Sequence, residues 1–375
     1  MTLEGRNKVP MASPDIDESD ERAVLEALRS GRLALGPKIA EFERLTAEYM
    51  GARHAVAVNS GTSGLHLLCR ALGLGPGDEV ITTSFSFVAS TNCFVYEGAR
   101  PVFADIEPDT YNLDPRLIES AVTPTTRAIL AVDVFGHPAD WDAIEEIAKR
   151  HGLEVIADSC ESIGSEYRGL KTGPFGVGGV FAFYPNKQMT TGEGGMIVTD
   201  RDDVAALCRS MANQGRGEMN AWLEHTRLGY NYRMDELSAA LGISQLRRID
   251  EFVAKRRWVA ETYDALLQDE PRVRAPMVRL DVKMSYFVYV VELQGELRRD
   301  EVMRGLASKG VPSRGYFSPI HLQPYMRKMV GYREWALPVT ERVATRTIAL
   351  PFYNTLTAED AEYVVSALVQ VLDEL

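Results

Sequence analysis

Short apolar runs alternate with helical patterns from about residue 54 to residue 199 of the chain. The runs are nearly continuous in apolar residues, which is typical of strands buried on both faces of a sheet. The predicted strands are Ala55–Val58, Glu79–Thr82, Pro101–Ala104, Ala128–Val132, Leu153–Ala157, Gly179–Phe183 and Gly195–Thr199. Helical patterns lie between several of them, at Gly64–Leu72, Pro115–Ala121 and Trp141–His151. This alternation predicts an α/β domain with a mainly parallel sheet covered by helices.

The pattern changes in the last third of the chain. Apolar residues from Met234 to Val253 recur at an approximately helical period, which predicts a long amphipathic helix leaving the α/β domain. Beyond it the sequence predicts one strand and two helices, at Tyr286–Leu293, Arg298–Lys309 and Ala358–Leu372. We therefore expect a large domain over residues 1–245 and a small α+β domain over residues 246–375.

Composition favours a soluble enzyme over a nucleic-acid or membrane protein. The 375 residues include 41 Lys and Arg against 53 Asp and Glu, a formal net charge of −12, which disfavours general binding to nucleic acid or an anionic membrane. The four cysteines form no CxxC pair, so neither a disulfide framework nor a metal site is expected. The first residues lack an apolar signal core and no run is long enough to span a membrane, which predicts a cytoplasmic protein.

Lys187 is the strongest candidate for covalent chemistry. An apolar, aromatic stretch precedes it, and a turn rich in Gly and Thr follows it. Such surroundings shield an amine from water, disfavour its charged form and make it a better nucleophile. The pattern is suited to a Schiff base with an aldehyde such as pyridoxal 5'-phosphate (PLP). The alternative for any single lysine is a solvated surface charge.

Two strand ends supply further candidates. Gly61, Thr62 and Ser63 lie between a predicted strand and helix, where small residues and backbone N–H groups can bind a phosphate; the alternative is an ordinary N-cap. Asp158 ends a buried strand and can pair with a protonated ring nitrogen; the alternative is again an N-cap. A further candidate is an aromatic side chain, Phe85 or Phe87, that could stack on a flat ring, although core packing explains either one alone.

Together these motifs resemble the DegT–DnrJ–StrS family of PLP-dependent sugar aminotransferases, and the resemblance runs nearly end to end. Its motifs are Gly36-Pro37-Lys38-Ile39-Ala40-Glu41-Phe42-Glu43, Asn59-Ser60-Gly61-Thr62-Ser63, Gly75-Pro76-Gly77-Asp78-Glu79-Val80, Asp158, Lys187 with Gly192-Glu193-Gly194-Gly195, Gly229-Tyr230-Asn231-Tyr232-Arg233-Met234, His321-Leu322-Gln323-Pro324-Tyr325 and Leu350-Pro351-Phe352-Tyr353. The resemblance implies the aspartate-aminotransferase type of fold, PLP fold type I, with a seven-stranded sheet in the large domain.

The resemblance also implies roles for individual residues. Lys187 and Asp158 would be catalytic, the lysine carrying the Schiff base and moving protons, the aspartate holding the pyridine nitrogen. The implied cofactor-binding residues are Gly61, Thr62, Ser63, Phe87, Asp158, Glu161, Lys187 and Asn231. In this family an Asn at the position of Asn231 reaches the phosphate of the other subunit's cofactor, so a homodimer with shared active sites is implied.

Two positions distinguish this chain within the family. Many relatives have a Ser that donates to the phosphate five residues before the lysine, and this chain has Ala182 there. Dehydratases of the family have His at the position of Lys187, so a lysine favours transamination.

The implied reaction moves an amino group from L-glutamate to a nucleotide-linked keto sugar. The segments around Lys187 resemble most the branch that aminates sugar C4, including perosamine-type synthases, which suggests a 4-keto-6-deoxyhexose and a role in surface-polysaccharide or natural-product sugar biosynthesis. Candidate substrate contacts are Arg314, Tyr316 and His321, although a lone Arg or His in a loop is usually structural. The alternatives are an aminotransferase acting on a keto-cyclitol or other carbocycle, and a PLP-binding regulatory protein without turnover.

Overall fold

A computed structural model of the chain describes residues 9–217 and 224–375. The strands are β1 His54–Val58, β2 Glu79–Thr83, β3 Arg100–Ala104, β4 Thr126–Val132, β5 Glu154–Asp158, β6 Glu166–Tyr167, β7 Leu170–Lys171, β8 Gly178–Ala182, β9 Gly195–Thr199, β10 Val273–Arg274, β11 Val282–Lys283, β12 Tyr289–Leu293 and β13 Thr347–Leu350. The α-helices are α1 Glu18–Arg29, α2 Pro37–Met50, α3 Gly61–Ala71, α4 Ala89–Val95, α5 Pro115–Ala121, α6 Trp141–His151, α7 Asp202–Ala212, α8 Glu236–Arg247, α9 Ile249–Leu267, α10 Arg299–Ser308, α11 Pro324–Val330, α12 Pro338–Ala344 and α13 Ala358–Glu374. Short 3-10 helices lie at Val134–Gly136 and Ile320–Leu322.

The main sheet has seven strands in the order β1-β9-β8-β5-β4-β2-β3. The strands from β8 to β3 pair in parallel, whereas β9 is antiparallel to both of its neighbours. Each predicted strand coincides with one of these seven to within two residues, and α5 and α6 have the predicted bounds. The predicted α/β class with a mainly parallel seven-stranded sheet is therefore confirmed.

The reversal of β9 has a simple physical cause. Parallel neighbours need a crossover connection, usually through a helix, whereas antiparallel neighbours can be joined by a short loop. Residues 183–194 form such a loop between β8 and β9, and this loop contains Lys187. The lysine therefore lies beyond the carboxyl end of β8, at the edge of the sheet where ligands bind in open α/β folds.

The predicted long helix after Met234 is wrong. The structure has two helices there, α8 and α9, separated at Arg248, whose φ of −108° and ψ of 7° interrupt the helix. The guanidinium of Arg248 contacts Asp17 and Asp20 at the start of α1, and that contact lies where the chain changes direction. Because apolar residues continue on both sides of the break, their spacing does not reveal it.

The C-terminal elements form a smaller α+β arrangement. Strands β10, β12 and β13 form an antiparallel sheet, and α9 and α10 pack against α13. One apolar cluster includes both Leu65 of α3 and Tyr289 of β12, so the core continues from the main sheet to the smaller one. The division at residues 245 and 246 falls within α8 and stays a prediction. In the described part of the chain, no helix is both long and apolar enough to cross a membrane.

Candidate active site

A cavity of about 500 Å³ opens at the carboxyl edge of the main sheet. Seven of the predicted site residues line it: Gly61, Thr62, Phe87, Asp158, Glu161, Lys187 and Tyr316. Residues that were not predicted as contacts also line it, including Ser86, Ser90, Cys160, Tyr184, Asn186, Glu193, Phe287 and Phe317. The predicted residues Ser63, Asn231, Arg314 and His321 are not among the lining residues. The structure thus brings most of the predicted site residues together at one cavity.

Lys187 extends into the cavity and is largely shielded from water. Its side chain is 12% exposed, and its Nζ lies 3.8 Å from the centroid of the Phe287 ring and 3.7 Å from Oε1 of Glu161. Its backbone N–H donates to the carbonyl of Tyr184 at 2.9 Å, and its own carbonyl accepts from Arg256 at 3.0 Å. The alternative of a solvated surface lysine therefore does not hold, because both the backbone and the amine are held by neighbours.

Glu161 is the carboxylate that faces this amine. Its Oε2 accepts a hydrogen bond of 2.8 Å from the backbone N–H of Phe135, which leaves Oε1 directed toward Lys187. Burial raises the pKa of Glu161 above its usual range, although the nearby charge of Lys187 opposes the rise. The carboxylate of Glu161 therefore lies within reach of the amine of Lys187 in a setting largely closed to water.

Asp158 is buried at the last position of β5. Its Oδ2 accepts a 2.7 Å hydrogen bond from Ser90, and its Oδ1 accepts from the backbone N–H of Cys160 at 3.2 Å. The element that follows Asp158 in the chain is strand β6. Asp158 is therefore not the helix N-cap that the sequence left as an alternative. The carboxylate lines the cavity and is held from two sides, as an acceptor for a cationic nitrogen requires.

The segment after β1 is both a helix cap and a cavity wall. Ser60 is the N-cap of α3, and its Oγ accepts from the backbone N–H of Ser63 at 3.1 Å. The hydroxyl of Ser63 donates to Oδ1 of Asn59 at 2.7 Å, so this side chain serves the cap. Gly61 and Thr62 face the cavity at the start of the helix, where the dipole favours an anion.

Gly61 is required by a close approach of three segments. A Cβ at this position would lie 2.8 Å from Cβ of Ala182 and 2.9 Å from Sγ of Cys160. Both distances are shorter than side chains tolerate, so only glycine fits between the strand end and the loop.

The two aromatic candidates have different positions. Phe85 is completely buried and packs edge-on against Phe135 and Phe317, with ring centroids 5.9 and 5.5 Å away. Phe87 is 62% exposed and lines the cavity. Phe87 is therefore the one of the two that can cover a flat ligand.

The three predicted substrate contacts lie in different surroundings. Tyr316 lines the cavity with its ring edge-on to Phe287, and burial raises its pKa. Arg314 is exposed and donates to the carbonyl of Ser313. The substrate role of Arg314 stays a prediction.

His321 is completely buried away from the cavity. Its Nδ1 lies 2.7 Å from the hydroxyl of Ser84, and its Nε2 lies 3.2 Å from Oε1 of Glu341. The backbone N–H of His321 donates to the same serine oxygen, so the hydroxyl proton is free to point at Nδ1 and the ring proton at Glu341. Burial lowers the pKa of His321. This arrangement connects the end of β2 to the 320–341 segment, and it favours the structural alternative for this histidine.

Asn231 is exposed and lies beside the segment after β1. The side chain of Asn59 donates to the carbonyl of Asn231 at 3.4 Å, and the backbone N–H of Asn59 donates to the carbonyl of Tyr232 at 2.8 Å. The role of Asn231 in the site of a partner subunit stays a prediction.

Sequence reasoning missed Ser90, Phe287 and Arg256. Ser90 holds Asp158, Phe287 covers Lys187, and Arg256 binds the carbonyl of Lys187. None belongs to a local motif, and only the fold brings Ser90 and Phe287 to the cavity and Arg256 to the loop of Lys187. In residues 9–217 and 224–375, no group of three or more His, Cys, Asp or Glu could hold a metal ion.

Comparison with known proteins gives consistent matches over nearly the whole chain. A sequence model of the DegT/DnrJ/EryC1/StrS aminotransferase family matches residues 14–369. GDP-perosamine synthase of Caulobacter vibrioides is 40% identical over 369 residues, which cover 97% of this chain and 98% of that protein. The structure of Helicobacter pylori PseC, an aminotransferase involved in the biosynthesis of pseudoaminic acid, has a TM-score of 0.95 and 29% identity, and the match covers 98% of this chain and 100% of PseC. The PLP form of Spr1654 from Streptococcus pneumoniae has a TM-score of 0.93 and 27% identity, with 98% of this chain and 99% of Spr1654 covered.

Proposed function

The chain belongs to the DegT/DnrJ/EryC1/StrS aminotransferase family, and from this premise we propose that it transfers the amino group of L-glutamate to a nucleotide-linked 4-keto-6-deoxyhexose. The family is PLP-dependent, and its members act on sugars. The C4 keto group is supported by the Caulobacter vibrioides relative, whose name records the synthesis of GDP-perosamine. The donor and the sugar are the parts of this proposal that need direct assay.

The residues of the cavity fit PLP. The start of α3 offers backbone N–H groups and the hydroxyl of Thr62 to a phosphate, and Gly61 lets this helix start approach Ala182 and Cys160 closely. Asp158 offers a buried carboxylate to a protonated ring nitrogen, and Phe87 offers a ring face. Lys187 supplies the amine. When bound, PLP supplies an electron sink for negative charge at the substrate carbon.

The chain's own residues then account for proton movement. Nζ of Lys187 takes the proton from the α-carbon of the amino-acid donor in the first half-reaction, and returns a proton to the sugar carbon in the second. The ring of Phe287 and the carboxylate of Glu161 restrict where Nζ can lie. Ser90 and the N–H of Cys160 keep the carboxylate of Asp158 in one orientation. The observation that carries the proposal is that Lys187 and Asp158 line one cavity together with Gly61.

A substrate panel tests the reaction. Purified protein with PLP and L-glutamate is incubated with nucleotide-linked 4-keto and 3-keto sugars and with keto-inositols, and mass spectrometry detects the aminated product. We expect product from the 4-keto nucleotide sugars and stoichiometric 2-oxoglutarate. Turnover of carbocycles alone would refute the sugar proposal, and bound PLP without any turnover would favour the regulatory alternative. Lys187→Ala should lose both the yellow colour of the bound cofactor and the activity.

We further propose a homodimer in which Asn231 completes the site of the partner subunit. The exposed side chain of Asn231 and its position beside α3 support this. Mixing inactive Lys187→Ala subunits with weakly active Asn231→Ala subunits should restore activity, because each mixed dimer has one site with both native residues. If mixing restores nothing although mixed dimers form, Asn231 does not act across the interface.

A further inference from the structure

Arg256 of α9 is a buried guanidinium with an unusual set of partners. Its side chain is 2% exposed, and no salt bridge in the described part of the chain includes it. Its Nη1 donates to the carbonyls of Tyr286 and Phe287, both at 3.1 Å, and its Nη2 donates to the carbonyl of Lys187 at 3.0 Å. All three hydrogen-bond acceptors of this guanidinium are thus backbone carbonyls of the segments that form and cover the candidate Schiff-base lysine, and its Cζ also lies 5.4 Å from the centroid of the Phe352 ring.

These contacts belong to a closed series of interactions that begins and ends at Lys187. Nζ of Lys187 lies 3.7 Å from Glu161, whose other oxygen accepts from the N–H of Phe135. The carbonyl of Phe135 accepts from the N–H of Phe287 at 2.9 Å, and the carbonyl of Phe287 accepts from Arg256. Arg256 also donates to the carbonyl of Lys187, so the series of contacts begins and ends at the same lysine. The phenyl ring of Phe287 also contacts Lys187, with its centroid 3.8 Å from Nζ.

The backbone at the two aromatic positions needs external support. Phe135 has a φ of 58° and Tyr286 a φ of 53°, in the left-handed region that a bulky side chain disfavours. The N–H of Phe287 donates to the carbonyl of Phe135, and Arg256 donates to the carbonyls of Tyr286 and Phe287, which offsets part of this cost. Without Arg256, the 286–287 segment would lose its two side-chain donors and Lys187 would lose the donor to its carbonyl.

An arginine suits this position better than a lysine. The planar guanidinium has donors on both terminal nitrogens, so a single group can bind carbonyls from two chain segments in a fixed geometry. Burial lowers the pKa of Arg256 to about 9, so the group still carries its charge at neutral pH. A buried charge without a carboxylate partner disfavours folding, and a role at the site accounts for its presence.

We propose that Arg256 is a positioning residue for Lys187. By holding the carbonyls of Lys187 and Phe287 with one guanidinium, it fixes Nζ between the Phe287 ring and the carboxylate of Glu161. Its catalytic consequence rests on the proposed amino transfer, but its structural consequence does not. Arg256 touches no reacting atom, so its effect must pass through the position of Lys187.

The structural consequence can be measured in the apoenzyme without any substrate. An amine-reactive anhydride is added at low concentration, and peptide mass spectrometry compares the labelling of Lys187 with that of exposed Lys149. In Arg256→Met we expect Lys187 to react at least about threefold faster than in the native protein, because its packing against Phe287 loosens. Arg299→Met is the matched control, since Arg299 also donates to a backbone carbonyl, that of Ala344, and does not line the cavity. It should leave the labelling of Lys187 unchanged.

The catalytic consequence is measured as the rate of the first half-reaction with L-glutamate, followed by the cofactor's absorbance. A displacement of the amine by about 1 Å costs up to about 100-fold in rate, so Arg256→Met should slow this step by about tenfold or more, with a smaller change in the apparent affinity for L-glutamate. Arg256→Lys should recover only part of the rate. If Arg256→Met does not fold, Arg256→Lys carries both measurements.

The outcomes separate the two proposals. Unchanged labelling of Lys187 in a folded Arg256 variant overturns the positioning role, whatever the enzyme acts on. A lower apoenzyme Tm with native labelling and a native half-reaction rate also overturns it, because Arg256 would then only stabilise the fold. Faster labelling supports the positioning role even if no keto sugar in the panel is aminated.

Discussion

Asp133 offers a quantitative test of the electrostatics beneath the candidate site. It directly follows β4 and is completely buried. One carboxylate oxygen accepts from the N–H of Ala139 at 2.9 Å and from the indole of Trp141 at 3.1 Å. The other accepts from the hydroxyls of Ser159 and Ser162 at 2.7 and 2.8 Å. All four partners are neutral, and burial raises the pKa of Asp133 from 3.8 to about 6.

The sign of the effect on stability follows from proton binding. Between pH 3.8 and about 6 the folded protein keeps a proton on Asp133 that the unfolded chain has lost. The free energy of unfolding therefore falls as the pH rises through this window, and the loss is complete above about pH 6. Each pKa unit corresponds to about 1.4 kcal/mol, so the full loss is about 3 kcal/mol. About 2 kcal/mol of it should occur between about pH 4.5 and pH 7.

Asp133→Asn removes this titration while keeping the shape of the side chain. The amide oxygen can keep the N–H donors, and the two serine hydroxyls can rotate to accept from the amide nitrogen. The free energy of unfolding of the apoenzyme is measured in urea at about pH 4.5 and pH 7 for both proteins. The value for Asp133→Asn minus the value for the native protein should be about 2 kcal/mol higher at about pH 7 than at about pH 4.5. Asp300→Asn, at a carboxylate whose side chain is 72% exposed, is the control and should show no such rise.

If the stability difference between Asp133→Asn and the native protein is the same at both pH values, this reasoning is refuted. It would show that the four hydrogen bonds offset burial and that Asp133 is ionised throughout the range.

Three further outcomes concern the site itself. Gly61→Ala introduces a Cβ that collides with Ala182, so it should cost about 1–3 kcal/mol in stability and weaken PLP binding. Urea unfolding measures the first effect and cofactor titration the second, and native PLP affinity would contradict the close approach. Ala182→Ser adds a hydroxyl where the family resemblance leads us to expect one, and should tighten PLP binding by up to about tenfold in the same titration. His321→Phe removes the imidazole that contacts Ser84 and Glu341, and should cost about 2–4 kcal/mol in stability with an unchanged KM for the nucleotide sugar. A large rise in KM would instead indicate substrate contact.

The strands of the main sheet could be predicted from the sequence because each is buried on both faces, so that its apolar run is continuous and bounded by polar residues. Two features could not. The break at Arg248 coincides with its contacts to carboxylates at the start of α1, more than 200 residues away in the sequence. The predicted strand at Tyr286–Leu293 begins only at Tyr289, because residues 286 and 287 bind Phe135 and Arg256 instead of a neighbouring strand.

The candidate site was predictable where chemistry and chain position coincide. Asp158 ends β5 and Lys187 lies in the loop after β8, and the carboxyl ends of parallel strands meet at one edge, so their convergence could be expected. Arg256 could not be found in this way, because an arginine on a helix has no local signal that it is buried. His321 shows the opposite failure, since a polar residue in a loop motif suggested a contact, while the fold places it in the interior.

The crowding of glycines around Lys187 follows from the strand order. Because β9 runs antiparallel between β1 and β8, its first residue lies at the edge where those two strands end. Three chain segments therefore meet in the width of one strand. A Cβ on Gly195 would lie 2.7 Å from the carbonyl carbon of Ser60, and one on Gly61 would lie 2.8 Å from Ala182. Gly61 and Gly195 thus permit the close packing that brings the start of α3 next to the end of the lysine loop.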